Sequence, residues 1–406
     1  MKYKMRISYH TIQLFSCIFV LLWINAGNFS LVVDKVPAVI KLGTVGMWFL
    51  FTYLSGKEFI ARFIKIGWPI IIFDFLLFFS KLMGHSDFYN QYCQIYIYIT
   101  ILTLFYSYYF FYGKRRDLEL ILTILAIDIV IVIIRTIAAL LQNPLLARAI
   151  STSYSVALSV LGTEKPRGIG GYGLCYELVI LTPFIAYLFS RDNKKKAIKY
   201  AFLAMCAIFL FQAQITMAAI MFIAIYIVSQ FFFSNQRKYA FLKRILIGIL
   251  AIVIIIYSDN IISFIIPYAG SELGNRLGEL RAVIQYGGSS TGDLATRFRL
   301  YKESLDAFAS NPIWGSFGNK PFGNHSTLFD LLAAYGILGV VGYAGLLRPQ
   351  LNATYVFRKK KMATVIVITI ISYLMLSIVN VSVGSEIMVA FIIIVPLGLR
   401  LFDRVN

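Results

Sequence analysis

The 406-residue chain has little that titrates or cross-links. Charged residues make up 14% of it, acids number 19 against 38 lysines and arginines, and there are only three histidines and four cysteines. Cys17, Cys93, Cys175 and Cys206 lie in or beside apolar runs with no C-x-x-C pair, which argues against disulfide or metal-ligand roles and for thiols buried in lipid or core. No repeat of fixed period and no low-complexity linker interrupts the chain, so residues 1–406 are read as one integral membrane domain. The apolar runs lack the two-residue alternation of a transmembrane β-barrel. No convincing A-x-A-like cleavage site follows M-K-Y-K-M-R and the first apolar run, so the first span is expected to be retained.

What is present suits hydrocarbon. Hydrophobic residues reach 59% and the mean hydropathy is +0.76, more apolar side chain than a soluble core of this size hides. The expected fold is all-α, a polytopic transmembrane helical bundle of about 12 spans. They can be drawn near 11–26, 36–55, 64–83, 91–112, 118–141, 169–190, 197–211, 213–233, 244–258, 327–347, 362–381 and 385–402. The boundary between the seventh and eighth rests on Gln212 and Gln214 within one long apolar run.

The basic excess raises the question of nucleic acid, and the placement of the charges answers it. With a cytoplasmic N-terminus, every short inside segment is basic, from Lys2, Lys4 and Arg6 through Lys114–Arg116 and Arg358–Lys361 to Arg400 and Arg404. That is the positive-inside rule, so the charge is a topology signal and no nucleic-acid partner is expected. Both termini are expected in the cytoplasm.

Asp74, Asp128 and Arg135 lie within apolar runs and need a partner or a water-filled cavity. Either they pair with neighbouring helices, or Arg135, near the outer end of its span, contributes to an outward-facing anionic site. Two outer segments are sizeable, near 142–168 and 259–326. The first ends in P-R-G-I-G-G-Y-G, placing Arg167 ahead of a span that starts at the outer face. Gly170 and Gly171 there would let a ligand or a helix approach the backbone, with helix amides and the dipole aimed outward. The alternative is tight helix packing with Arg167 as an interfacial anchor.

The second outer segment carries two amphipathic runs. Leu273, Leu277, Leu280 and Ile284 share a face of one, with Arg276 and Arg281 facing water or lipid headgroups. Leu294, Phe298, Tyr301, Leu305 and Phe308 share a face of the other, which must stop before Pro312 and holds Arg297 at the edge of its apolar side. His325 then precedes the tenth span, with Ser326 or Thr327 as cap. Two outward helix N-termini with nearby arginines suit a phosphate-bearing ligand.

These residues carry a resemblance. P-R-G-I-G-G-Y-G, T-R-F-R-L-Y-K-E-S-L-D-A-F-A-S-N-P-I-W-G and N-H-S-T-L-F-D-L-L-A-A-Y-G-I-L-G resemble motifs of the O-antigen polymerase (Wzy-type) and O-antigen ligase superfamily, over roughly 167–339. Ser326 stands where an Asn often follows the His, and Ala334 where an acid is frequent, which leaves the branch open. The resemblance implies a GT-C-like, metal-independent glycosyltransferase of the bacterial inner membrane with no cofactor. It implies a donor and an acceptor that are undecaprenyl-diphosphate-linked oligosaccharides, with a chain-length regulator and a flippase as pathway partners. Arg167 and Arg297 match its two arginines and would bind the donor diphosphate. His325 matches its histidine and would orient or deprotonate the acceptor hydroxyl, for which an imidazole of ordinary pKa, about 6.5, is suited. Arg299, Lys302 and Lys320 are secondary binding candidates outside the resemblance. The expected activity is polymerisation of O-antigen, capsule or exopolysaccharide repeat units. The alternatives are a ligase using another acceptor and a lipid-linked oligosaccharide flippase.

Overall fold

The computed structural model describes residues 8–25, 35–144, 146–150, 168–191, 196–233, 258–268, 271–286, 293–320, 322–323, 325–358 and 360–403. These residues form helices and turns without a strand. In chain order the helices are α1 (Tyr9–Ile24), α2 (Ala38–Ser55), α3 (Glu58–Leu82), α4 (Asp87–Tyr109) and α5 (Arg115–Gln142). A short turn, Leu146–Ile150, precedes α6 (Tyr172–Arg191), α7 (Lys196–Gln212) and α8 (Thr216–Phe233). Then come α9 (Ser258–Ile265), α10 (Ser271–Tyr286), α11 (Asp293–Ser310), α12 (Thr327–Val356), α13 (Lys361–Val379) and α14 (Ser385–Asp403). A π-helical stretch, Val389–Ile394, interrupts α14.

Among the described residues eight helices are long and apolar enough to cross a membrane: α2, α3, α5, α6, α8, α12, α13 and α14. This makes the protein a polytopic helical membrane protein. α1 and α7 are shorter apolar helices. The expected span 244–258 lies outside the described residues apart from Ser258. The long apolar run does break at 213–215, where Gln214 takes φ +55° and α8 starts at Thr216. The two glutamines mark that break because polar amides end a stretch that lipid could solvate.

Burial sorts the helices. α2 has only 11% of its apolar window buried, and Val39, Leu42, Leu50 and Leu54 point outward, as lipid requires and water would not tolerate. α6 and α14 are buried over 78% and 72% of theirs and form the centre of the bundle. Close approach depends on glycine where α12 crosses α3: a Cβ on Gly342 would lie 2.6 Å from the Phe73 ring, and one on Gly345 would lie 2.8 Å from the Ile70 nitrogen.

Polar contacts separate the two ends of the bundle. At one end Arg400 donates to Phe110 O, Lys360 and Arg400 pair with Asp403, and His10 meets Asp117 at 3.0 Å. At the other, Phe88 N donates to Gly318 O and Thr327 N to Asn380 O. The isolated acids have neighbours: Thr100 donates to Asp74 at 2.6 Å and Asn25 to Asp128 at 3.0 Å. All four cysteines are free, three of them buried.

Candidate functional site

The second end of the bundle is built around α11 and the start of α12. The face of α11 turned inward matches the expected apolar one only in part, at Tyr301. Phe298 and Leu305 are exposed, at 50% and 41%, whereas Arg297, Leu300, Tyr301 and Ser304 face the bundle. The reason is chemical: what α11 meets is the polar start of α12, so its own polar groups are the better partners. Ser304 Oγ donates to Asp330 Oδ1 at 3.1 Å, and the Tyr301 hydroxyl lies 3.1 Å from Val379 O and 3.4 Å from His325 O.

Arg297 sits one turn before Tyr301. Its charge reaches the phenol of Tyr176 on α6, whose hydroxyl accepts a 2.7 Å bond from Asn380 Nδ2. Arg297, Tyr176, Tyr301, Asn380 and the His325 backbone therefore occupy one neighbourhood, drawn from α11, α6, the α13–α14 turn and the lead-in to α12. Tyr176, Asn380 and Asp330 were not singled out from sequence. The polar N-V-S-V-G-S-E stretch between two apolar runs was the available signal for Asn380.

One expectation is corrected here. The N-terminus of α12 is not an open set of amides waiting for phosphate. Ser326 Oγ caps Phe329 N at 3.2 Å, Asp330 accepts from Ser326 N at 3.5 Å, and Thr327 N is taken by Asn380 O. Asp330 also puts a carboxylate in that first turn. Ahead of α6, Gly170 N donates to Thr136 Oγ1 at 2.8 Å, so this amide too is engaged internally. A Cβ on Gly170 would collide with Leu174 at 2.2 Å, which gives this glycine a packing role. Gly171 is half-buried and its carbonyl accepts from Cys175 N, the first helical bond of α6.

The remaining predicted residues divide clearly. Arg167 lies outside the described residues, immediately before Gly168. Arg299 and Lys302 are exposed on the side of α11 away from Tyr301 and Ser304, Lys320 is exposed on the turn before α12, and Arg135 is exposed on α5. Arg281 faces neither water nor headgroups alone but pairs with Asp259 at 2.7 Å. The structure thus brings Arg297 and the His325 backbone together and leaves Arg299, Lys302 and Lys320 apart.

The glycine-rich turn 311–318 has a structural job. α12 breaks at Gly336, which takes φ +58° and ψ −139°. The break frees Ala333 O and Ala334 O to accept from Ser316 N and Gly318 N, and Ile337 N donates to Pro312 O at 2.8 Å. The N-P-I-W-G and Y-G-I-L-G stretches clasp one another and fix where α12 begins relative to α11.

Removing the α12 cap gives a contained prediction. Ser326→Ala should lower stability by about 1 kcal/mol, seen as a lower Tm of the purified protein in detergent, since both the Phe329 amide and Ser377 O lose their partner. An unchanged Tm would mean that the cap contributes nothing.

No family model matches the chain, and no curated protein matches it.

Proposed function

We propose that the protein is a glycosyltransferase that polymerises surface-polysaccharide repeat units, moving a glycan from an undecaprenyl-diphosphate donor to the next lipid-linked unit on the outer face of the bacterial inner membrane. The observation that carries this reading is the neighbourhood of Arg297, Tyr301, His325 and Tyr176, because it unites the second and third motif segments beside the helix that follows Arg167. In this reading both termini are cytoplasmic, and the fold is of the GT-C-like kind.

The reaction breaks the bond between the donor's anomeric carbon and the diphosphate oxygen and forms one to an acceptor hydroxyl oxygen. Negative charge grows on the departing diphosphate, where a fixed guanidinium is most effective. Arg297, with Arg167, meets that charge. His325 holds the acceptor hydroxyl and takes its proton. The reaction is redox-neutral, so no redox cofactor is called for.

Arg167→Ala and His325→Ala, each present at normal level in the membrane, should reduce polymer to short chains or single repeats, read by gel profile of the surface polysaccharide. The reading fails if these variants and Arg297→Ala all leave polymer length and amount unchanged. Accumulation of unattached full-length polymer in a deletion strain would point to ligase activity instead, and lipid-linked repeats stranded on the cytoplasmic side would point to a flippase.

A further inference from the structure

Beside Glu177 lies a small cavity that the proposed reaction does not use. It has a volume of about 20 Å³ and is lined by Asn25, Gly170, Glu177 and Glu386 together with Ile129, Val132, Ile169 and Leu174. That is room for one water-sized particle, for which on the order of 10–15 Å³ suffices. Glu177 is 1% exposed and Asn25 is 3% exposed.

Two of its polar atoms are left over. Asn25 gives its amide nitrogen to Asp128, and its Oδ1 has no hydrogen-bond partner. Glu177 Oε1 has none either. Glu386 lies alongside, against the first turn of α6: a Cβ on Gly173 would fall 2.6 Å from its carboxylate. Ser385 Oγ donates to it at 3.1 Å. Glu177 feels the charge of both Glu386 on α14 and Asp128 on α5.

Among the described residues, the other helices packed on α6 bring no balancing charge to this depth, and α5, which lines the cavity through Ile129 and Val132, carries Arg135, which is exposed. α8 carries no charged side chain and α13 only Lys361, at its far end, with Tyr226 and Tyr373 as their other titratable groups. Lys199 of α7, with Arg400 and Asp403 of α14, belongs to the opposite end of the bundle, and Arg297 lies beyond Tyr176. Acidic groups and an unsatisfied amide oxygen in a low-dielectric interior call for a positive charge.

We propose that this cavity binds one small monovalent cation of sodium's size through Glu177, Glu386 and the Asn25 amide oxygen. The ligands are hard oxygens, which suit such a cation. Among the described residues no three His, Cys, Asp or Glu side chains are arranged to hold a metal ion, so a carboxylate cage for a divalent metal is not what the site offers. The cation would tie the end of α1, the first turn of α6 and the first turn of α14 together, next to the Tyr176–Asn380 bond. The site stands independently of the proposed transfer reaction.

The test uses the purified full-length protein in nanodiscs. Thermal unfolding is followed at constant ionic strength while sodium replaces choline, at several pH values, for the wild type, Glu177→Gln and Asn25→Ala. The expected result is a saturable rise in Tm with sodium at fixed pH, whose midpoint moves by at least about tenfold in Glu177→Gln. A pH response without a sodium response is protonation of the buried carboxyl and overturns the proposal. Direct binding of radioactive sodium to the wild type, displaced by acid, gives the same answer should a variant fail to accumulate. The proposal is overturned as well if the wild type does not respond to sodium and binds none, or if Glu177→Gln responds to sodium as the wild type does.

Discussion

Arg297→Ala should lower the rate of glycan transfer by about 100- to 1,000-fold, the usual loss when one fixed donor to a developing oxyanion is removed. Arg297→Lys should recover only part of it, because an ammonium keeps the charge and loses the planar fork that grips two phosphate oxygens at once. The position of Arg297 supports so large an effect. It is half-buried on the face of α11 that carries Tyr301 and Ser304, and its charge acts on Tyr176 of α6. Arg299→Ala is the matched control: two residues on, exposed, and turned away from that face. It should leave the rate within about twofold, as surface substitutions commonly do. Equal losses at both positions would show that the effect is one of general basicity at the surface.

Gly336→Ala should be the most destabilising single change in the clasp. The residue holds φ +58° and ψ −139°, a conformation open almost only to glycine. An added Cβ would also lie 2.4 Å from Pro312 O and 2.6 Å from Ile313. The chain would have to give up the Ile337–Pro312 bond and lift the 311–318 turn from α12. We expect a loss of at least about 2–4 kcal/mol, combining backbone strain with overpacking. It would be read as a large fall in Tm and poor recovery from size-exclusion chromatography in detergent. Gly278→Ala is the contrast, since a Cβ there meets nothing within 4 Å and its helical backbone accepts alanine. It should be neutral or slightly stabilising. If Gly336→Ala behaved like Gly278→Ala, the break in α12 would not be needed.

The helical bundle was readable because lipid imposes one demand on every span, a continuous apolar run, and that demand is local. The break at 213–215 was readable for the same reason, since two glutamines interrupt a run that nothing else divides. The inner face of α11 was not. Apolar periodicity selects Phe298 and Leu305, yet these are exposed, and the helix is held by Ser304 on Asp330 and Tyr301 on Val379 O. Pattern arguments assume that the buried side of a helix is the greasy side. That assumption fails where the surface to be covered is itself the polar start of another helix.

The candidate site was half legible. The motif segments single out Arg297 and His325, and the structure sets the backbone carbonyl of His325 against Tyr301 of α11. Tyr176 and Asn380 were missed because their bond joins positions 204 residues apart, with nothing local in either to announce it. At α12 the expectation of open helix amides does not hold. The sequence offers Ser326 or Thr327 as the cap of α12, and Ser326 takes that place, but whether the helix amides remain free depends on Asp330 and Asn380, which only packing decides.

Reconstitution gives the most direct test of the central claim. The purified protein is incorporated into liposomes with a synthetic undecaprenyl-diphosphate repeat unit, and products are separated by length, with wild type and Arg297→Ala compared side by side. The account predicts a ladder of lengthening lipid-linked glycans and release of undecaprenyl diphosphate with the wild type, and neither with Arg297→Ala. A wild-type protein that leaves the repeat unit unchanged, or an Arg297→Ala protein that builds the same ladder at the same rate, would contradict it.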